Sequence, residues 1–136
     1  MSRHTFAWSG RTVTLGVLDD VAVEAFTDGD CSTFALALNM LIDGEIMAVV
    51  QEPDTDQATE SHFVVRVADG SFVDVEGTID EAGLLARWSQ RLKGAVVGVR
   101  PCNQPYMRDA SERADLAAAA TIAVIVANRH RSLTAA

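Results

Sequence analysis

The run from Cys31 to Ile42, Cys31-Ser32-Thr33-Phe34-Ala35-Leu36-Ala37-Leu38-Asn39-Met40-Leu41-Ile42, constrains the fold more than any other part of this chain. Phe34, Ala35, Leu38, Leu41 and Ile42 recur at helical spacing, so a helix is predicted over Ser32 to Asp43. Almost every side of it is apolar, and a helix of that kind must be covered all round. It is therefore central, and the rest of the chain has to supply its cover. Gly44 stands at the C′ position, where a left-handed residue closes a helix. With 136 residues, 49% of them apolar, the chain is long enough to build such a core as one domain.

The cover is legible in outline. Thr12 to Leu18 reads as a short edge strand interrupted by Gly16, and Asp19 or Asp20 caps a short helix over Val21 to Phe26. Glu45 to Val50 reads as a strand, followed by the polar loop Gln51 to Ser61. His62 to Val67 and Ser71 to Val75 form a hairpin around Ala68-Asp69-Gly70. Glu76-Gly77-Thr78 breaks the pattern, and Asp80 caps a helix to about Leu92 with the stripe Leu84, Leu85, Trp88 and Leu92. Ala95 to Val99 is a further strand, and Arg100 to Met107 a proline-bearing loop. An Ala-rich helix then runs from Asp109 or Ser111 to about Asn128. Helices, an antiparallel sheet and helices again make an α+β domain.

Charge and composition exclude several functions. The formal charge is −8, and no basic run exceeds two residues, so no nucleic-acid footprint is present. The most lipid-like stretch, Leu116 to Ala127, falls well short of the roughly 20 residues needed to span a bilayer. The N-terminus lacks the apolar core of a signal peptide. Two cysteines, Cys31 and Cys102, do not make a disulfide framework. The expectation is a soluble cytoplasmic protein in a reducing compartment, bacterial or phage-encoded. Cys102, in its proline-flanked loop, is read as structural, and His4 and His130 as solvated residues near the termini. The Ala-rich helix can pack closely on another helix, either inside the domain or across a homodimer.

Cys31, His62 and Asp74 are the residues with chemistry in prospect. A buried free cysteine is ordinarily a small hydrophobe, and here its company sets it apart. A thiol at a helix N-terminus feels the positive end of the helix dipole, and a backbone N–H there can donate to an oxyanion. Asp28 and Asp30 oppose that charge. Asp74 is out of place in an apolar strand unless it has a partner. The hairpin decides whether His62 is that partner. A two-residue turn at Asp69-Gly70 puts His62 and Asp74 on opposite faces. A three-residue loop with Gly70 left-handed pairs 67 with 71 and 64 with 74, which makes them diagonal neighbours roughly 7–8 Å apart. The sequence is compatible with both. No CxxC or HxxxH spacing suggests a metal.

The stretches Gly29-Asp30-Cys31-Ser32-Thr33-Phe34-Ala35-Leu36-Ala37-Leu38, His62-Phe63-Val64-Val65-Arg66 and Asp69-Gly70-Ser71-Phe72-Val73-Asp74 resemble the papain-like cysteine peptidase superfamily and its transglutaminase-like branch. The resemblance covers about residues 27 to 77. It implies a Cys-led central helix packed on a small antiparallel sheet, with Cys31 as nucleophile, His62 as general base and acid, and Asp74 as orienting residue. It also implies a protein or peptide substrate cut or modified at an amide or isopeptide bond, with no cofactor. The chain departs from the family in having no Gln shortly before the Cys. Trp8, Thr27 or a backbone amide are the available replacements in the oxyanion hole. Polar loop 51–61, with Gln51 and Gln57, is the expected cleft rim. The rival expectation is a binding, inhibitor or adaptor protein that keeps the fold without turnover.

Overall fold

The computed structural model describes residues 5–8, 11–29, 31–102 and 116–134. His4, Asp30, most of the 100–107 loop and the predicted start of the last helix lie outside the described residues, as do the Trp8 and Asp28 side chains. In chain order the elements are β1 (Thr5–Trp8), β2 (Arg11–Thr14), α1 (Asp20–Glu24), a π-helical turn (Ala25–Gly29) and α2 (Cys31–Asn39). β3 (Glu45–Gln51), β4 (Thr59–Arg66), β5 (Phe72–Asp74), β6 (Gly77–Ile79), α3 (Glu81–Arg91), β7 (Val97–Pro101) and α4 (Leu116–Thr134) complete them. β1 and β2 form a separate antiparallel hairpin, and the main sheet is antiparallel in the order β6-β5-β4-β3-β7. The class is α+β.

The helix that the apolar run demanded is central. No residue of α2 is exposed, and Phe34, Ala37 and Leu38 are fully covered. Its cover comes from one face of the sheet (Val65, Val67, Val73, Val75), from Ala22, Ala25 and Phe26 of the α1 region, and from α4. Burying a side chain such as Phe34 or Leu38 stabilises the fold by about 1.5–3 kcal/mol. The Ala-rich face of α4 is part of this core: Ala119, Ile122, Ala123, Val126 and Ala127 pack against α2 within the chain. On the sheet's other face, α3 lays Leu84 and Trp88 over Met47, Val49, Val64 and Phe72. The sheet is thus covered on both faces.

Several boundaries differ from the sequence reading, each for a local reason. α2 stops at Asn39 rather than Asp43, because the Asn39 amide donates to the carbonyls of Ile42 and Gly44 and folds the chain back. Gly44 is not a left-handed closure. It is a close-approach residue, where a Cβ would collide with the Arg66 carbonyl across the sheet. The segment 77–79, read as a break, is the short edge strand β6, paired with β5 at Val73–Thr78. β4 begins at Thr59, so His62 sits inside the strand rather than at its start. β7 runs Val97–Pro101 at the opposite edge, where Pro101 is tolerated. α4 runs six residues beyond Asn128, to Thr134. His130, expected to be solvated, is buried against Thr78, with Nδ1 and Oγ1 at 3.1 Å.

Candidate functional site

The hairpin takes the register with a three-residue loop. Val65 faces Val73, Arg66 faces Phe72, and Val67 N–H donates to the Ser71 carbonyl at 2.9 Å. Gly70 holds φ +88°, which L side chains rarely adopt. Asp69 closes the loop by accepting from Ser71 N–H and Ser71 Oγ. This register puts His62 and Asp74 on one face as diagonal neighbours, and their side chains meet: His62 Nε2 donates to Asp74 Oδ2 at 2.8 Å. A carboxylate only accepts, so the neutral ring carries its hydrogen on Nε2 and a lone pair on Nδ1. The other oxygen, Asp74 Oδ1, accepts from Glu76 N–H at 2.8 Å, so the carboxylate is held at both ends.

Both residues are out of water, His62 at 0% and Asp74 at 3% exposure. Burial, the largest single influence, disfavours the imidazolium, but the hydrogen bonds and charges of Asp74 and Cys31 together outweigh it. The net effect pushes the His62 pKa up to about 9. His62 Nδ1 has no hydrogen-bond partner, although it is buried. The ring therefore combines a fixed orientation with an anionic support, and Nδ1 carries a proton near neutral pH and a lone pair only above about pH 9.

Cys31 is the first residue of α2 and is buried. It packs with Ala35, Ala48, Val50 and Phe63, on the helical face of the sheet. His62 and Asp74 project from the face that α3 covers, under Trp88. The edge of β4 reconciles the two positions. β5 pairs with β4 only at Val65 and Arg66, so at the level of His62 the strand has a neighbour on the β3 side alone. A bulge falls at the same place: Val49 pairs with His62 and Val50 with Glu60, leaving Ser61 extra. Bulges bend a strand and re-aim its side chains. At this open, bulged edge a thiol on one side of the sheet interacts with a ring rooted on the other. Ala58, from the loop before β4, packs against the Cys31 cluster, whereas Gln51 belongs to β3.

Sequence reasoning missed Trp88, which was read only as part of an apolar stripe. It does pack with Leu84, but its indole also stacks on the His62 ring with centroids 4.5 Å apart and planes at 22°. Arg91 lies over the indole, its guanidinium carbon 5.0 Å from the ring centroid. The signal was present in the i, i+3 spacing of Trp88 and Arg91, which places them on one helix face. The buried side-chain polar atoms without partners among the described residues are Thr27 Oγ1, Thr33 Oγ1, His62 Nδ1 and Trp88 Nε1. Thr27 and Thr33 flank Cys31 in sequence, and His62 and Trp88 are the stacked pair. Unpaired buried polar groups are scarce in folded proteins, and two of these four belong to the stacked pair.

Cys102, half-buried, packs against the same cluster as Cys31. Burial, then Glu60, pushes its thiol up to about 11. Among the described residues no group of three or more His, Cys, Asp or Glu side chains is arranged to hold a metal ion, and no helix is long and apolar enough to cross a membrane. The principal cavities among the described residues are not lined by Cys31, His62 or Asp74. No family model, curated protein or solved structure matches the chain.

Proposed function

We propose that the chain performs nucleophilic acyl transfer with Cys31, His62 and Asp74 as a catalytic triad. More particularly, it would be a papain-like or transglutaminase-like enzyme acting on an amide, peptide or isopeptide bond of a protein or peptide. The observation that carries this reading is the His62 ring itself. Nε2 is tied to a buried carboxylate, Nδ1 is left unpartnered, and Cys31 is the thiol beside it. A ring that served only to satisfy a core would have both nitrogens engaged.

In the reaction, the thiol proton already resides on Nδ1, as an imidazolium beside a Cys31 thiolate, and Cys31 Sγ attacks the carbonyl carbon. The carbonyl π electrons move to oxygen, giving an oxyanion. Its donors would be a backbone N–H at the start of α2 and Thr27 Oγ1, whose hydroxyl is buried and unpartnered four residues before the nucleophile. When the oxyanion collapses, the C–N bond breaks and the imidazolium protonates the departing amine. Water, deprotonated by Nδ1, then cleaves the thioester to an acid, whereas a second amine in its place completes a transfer. Asp74 keeps the ring in the reactive tautomer throughout and stabilises its charged form.

The test is the pH dependence of iodoacetamide labelling, resolved by site, in wild type and His62→Ala. Cys102 is the internal reference. Rapid labelling of Cys31 near neutral pH, slowed by the substitution while Cys102 is unchanged, is the expected outcome. A Cys31 rate no greater than that of Cys102, and indifferent to His62, would overturn the proposal. That result would favour the second reading, a non-catalytic binding or adaptor protein, for which the burial of Cys31 and its absence from the lining of the principal cavities among the described residues already speak.

A further inference from the structure

The interactions around His62 close on themselves. Asp74 holds Nε2; Trp88 covers the ring face; Arg91 covers the outer face of Trp88. Glu76 then grips Arg91 with both carboxylate oxygens, each at 2.7 Å from a guanidinium nitrogen, and returns its own backbone N–H to Asp74 Oδ1. From this circuit we infer that Arg91 and Glu76 are positioning residues for His62, clamping α3 to the β5–β6 turn so that the indole presses the imidazole into its place beside Cys31. The inference rests on the proposed role of His62 and assigns residues to which that role gives no part.

Three features support it. A bidentate Arg–carboxylate pair fixes orientation as well as distance, which a lysine or a single contact does not. The pair joins two elements: α3 carries the indole, and the turn carries the carboxylate's second support. Glu76 is also less exposed than a surface acid, at 18%, and its carboxyl is held below the usual range, chiefly by Arg91. Arg87 approaches Glu76 only to 3.7 Å and adds charge rather than geometry.

Charge and geometry predict opposite results, which makes the inference testable. The charged groups acting on the ring are Asp74 and Cys31, with Glu76, Arg91 and Arg87 beyond them. Removing a cation from this set would, by charge alone, raise the imidazole pKa. Loosening the clamp weakens the His62–Asp74 bond while burial persists, and that lowers it. Arg91→Met keeps a flexible apolar stem over the indole without charge or hydrogen bonds, and Arg91→Lys restores the charge with a single contact.

The experiment follows the His62 ring through pH 5–11 by NMR in wild type, Arg91→Met and Arg91→Lys, alongside iodoacetamide labelling of Cys31 with Cys102 as reference. The expected result in Arg91→Met is a ring pKa about one unit lower, with Cys31 labelling near neutral pH slowed about tenfold. Arg91→Lys should fall between that and wild type. A ring pKa that rises or stays put in Arg91→Met would overturn the clamp. The ring pKa decides this even if wild-type Cys31 labels no faster than Cys102, a result that would fell the catalytic proposal alone.

Discussion

Replacing Asp74 by Asn probes the centre of the site with nearly the same shape. The His62 pKa rises from 6.5 in the unfolded chain to about 9 in the folded one. A shift of that size corresponds to about 3 kcal/mol. Because the folded value is the higher, this stability is fully present below pH 6.5 and is lost as the pH rises through 9. Without the carboxylate charge the desolvation of the ring dominates, and the folded pKa should drop below 6.5. Asp74→Asn should therefore destabilise the protein by about 3 kcal/mol more at pH 6 than at pH 10. The tautomer should change too. Glu76 N–H still requires an acceptor at Oδ1, so the new amide turns its NH₂ toward Nε2. The ring must then accept there and carry its hydrogen on Nδ1, which leaves the neutral ring no acceptor at that nitrogen. The assay is urea unfolding at pH 6 and 10 together with ¹⁵N shifts of the imidazole. It is best run in a Cys102→Ser background, since a thiol pushed up to about 11 adds to the alkaline trend. An equal loss of stability at both pH values, or a wild-type ring titrating near 6.5, would refute the reasoning.

Other consequences are more local. Thr27→Val removes a buried, unpartnered hydroxyl, so thermal unfolding should show unchanged stability or a gain of about 1 kcal/mol. Capture of an acyl-donating probe by Cys31 should nevertheless slow, and a substantial loss of stability would mean that the hydroxyl has a structural partner. Gly44→Ala drives a Cβ into the Arg66 carbonyl, a backbone atom that cannot rotate away. A loss of about 1–3 kcal/mol in denaturant unfolding is expected, and a neutral result would show that the α2–β3 turn can relax.

The parts of this fold that were legible in the sequence are those governed by local pattern and turn chemistry. The apolar run after Cys31 required a central helix whatever covered it. Asp80 announced α3, and its side chain does accept from Gly83 N–H. The hairpin was readable to within two registers, but choosing between them needed the backbone of Gly70. What escaped depends on contacts between distant segments. β6 is only three residues long and exists because β5 pairs with it, so no periodicity could reveal it. Gly44 looks the same in sequence whether it supplies a left-handed turn or a close approach to Arg66. His130 is polar and lies near the end of the chain, yet Thr78 meets it from 52 positions away. Trp88 was read from its own helix, whereas its stacking partner stands on β4.

The placement of Cys31 and His62 on opposite sides of a sheet carries a further consequence for how the site is built. A strand with neighbours on both sides would wall the thiol off from the ring. The short β5 prevents this by ending at Asp74, and the bulge at Ser61 falls next to His62. The same shortness gives Asp74 its place, because the chain turns immediately into Glu76 and Gly77, and the turn supplies the N–H that anchors Oδ1. Extending β5 would pair β4 up to His62 and close the gap, and it would also straighten the turn that orients the carboxylate. The meeting of the His62 ring with Cys31 and the support of that ring thus depend on one feature, a strand that stops early.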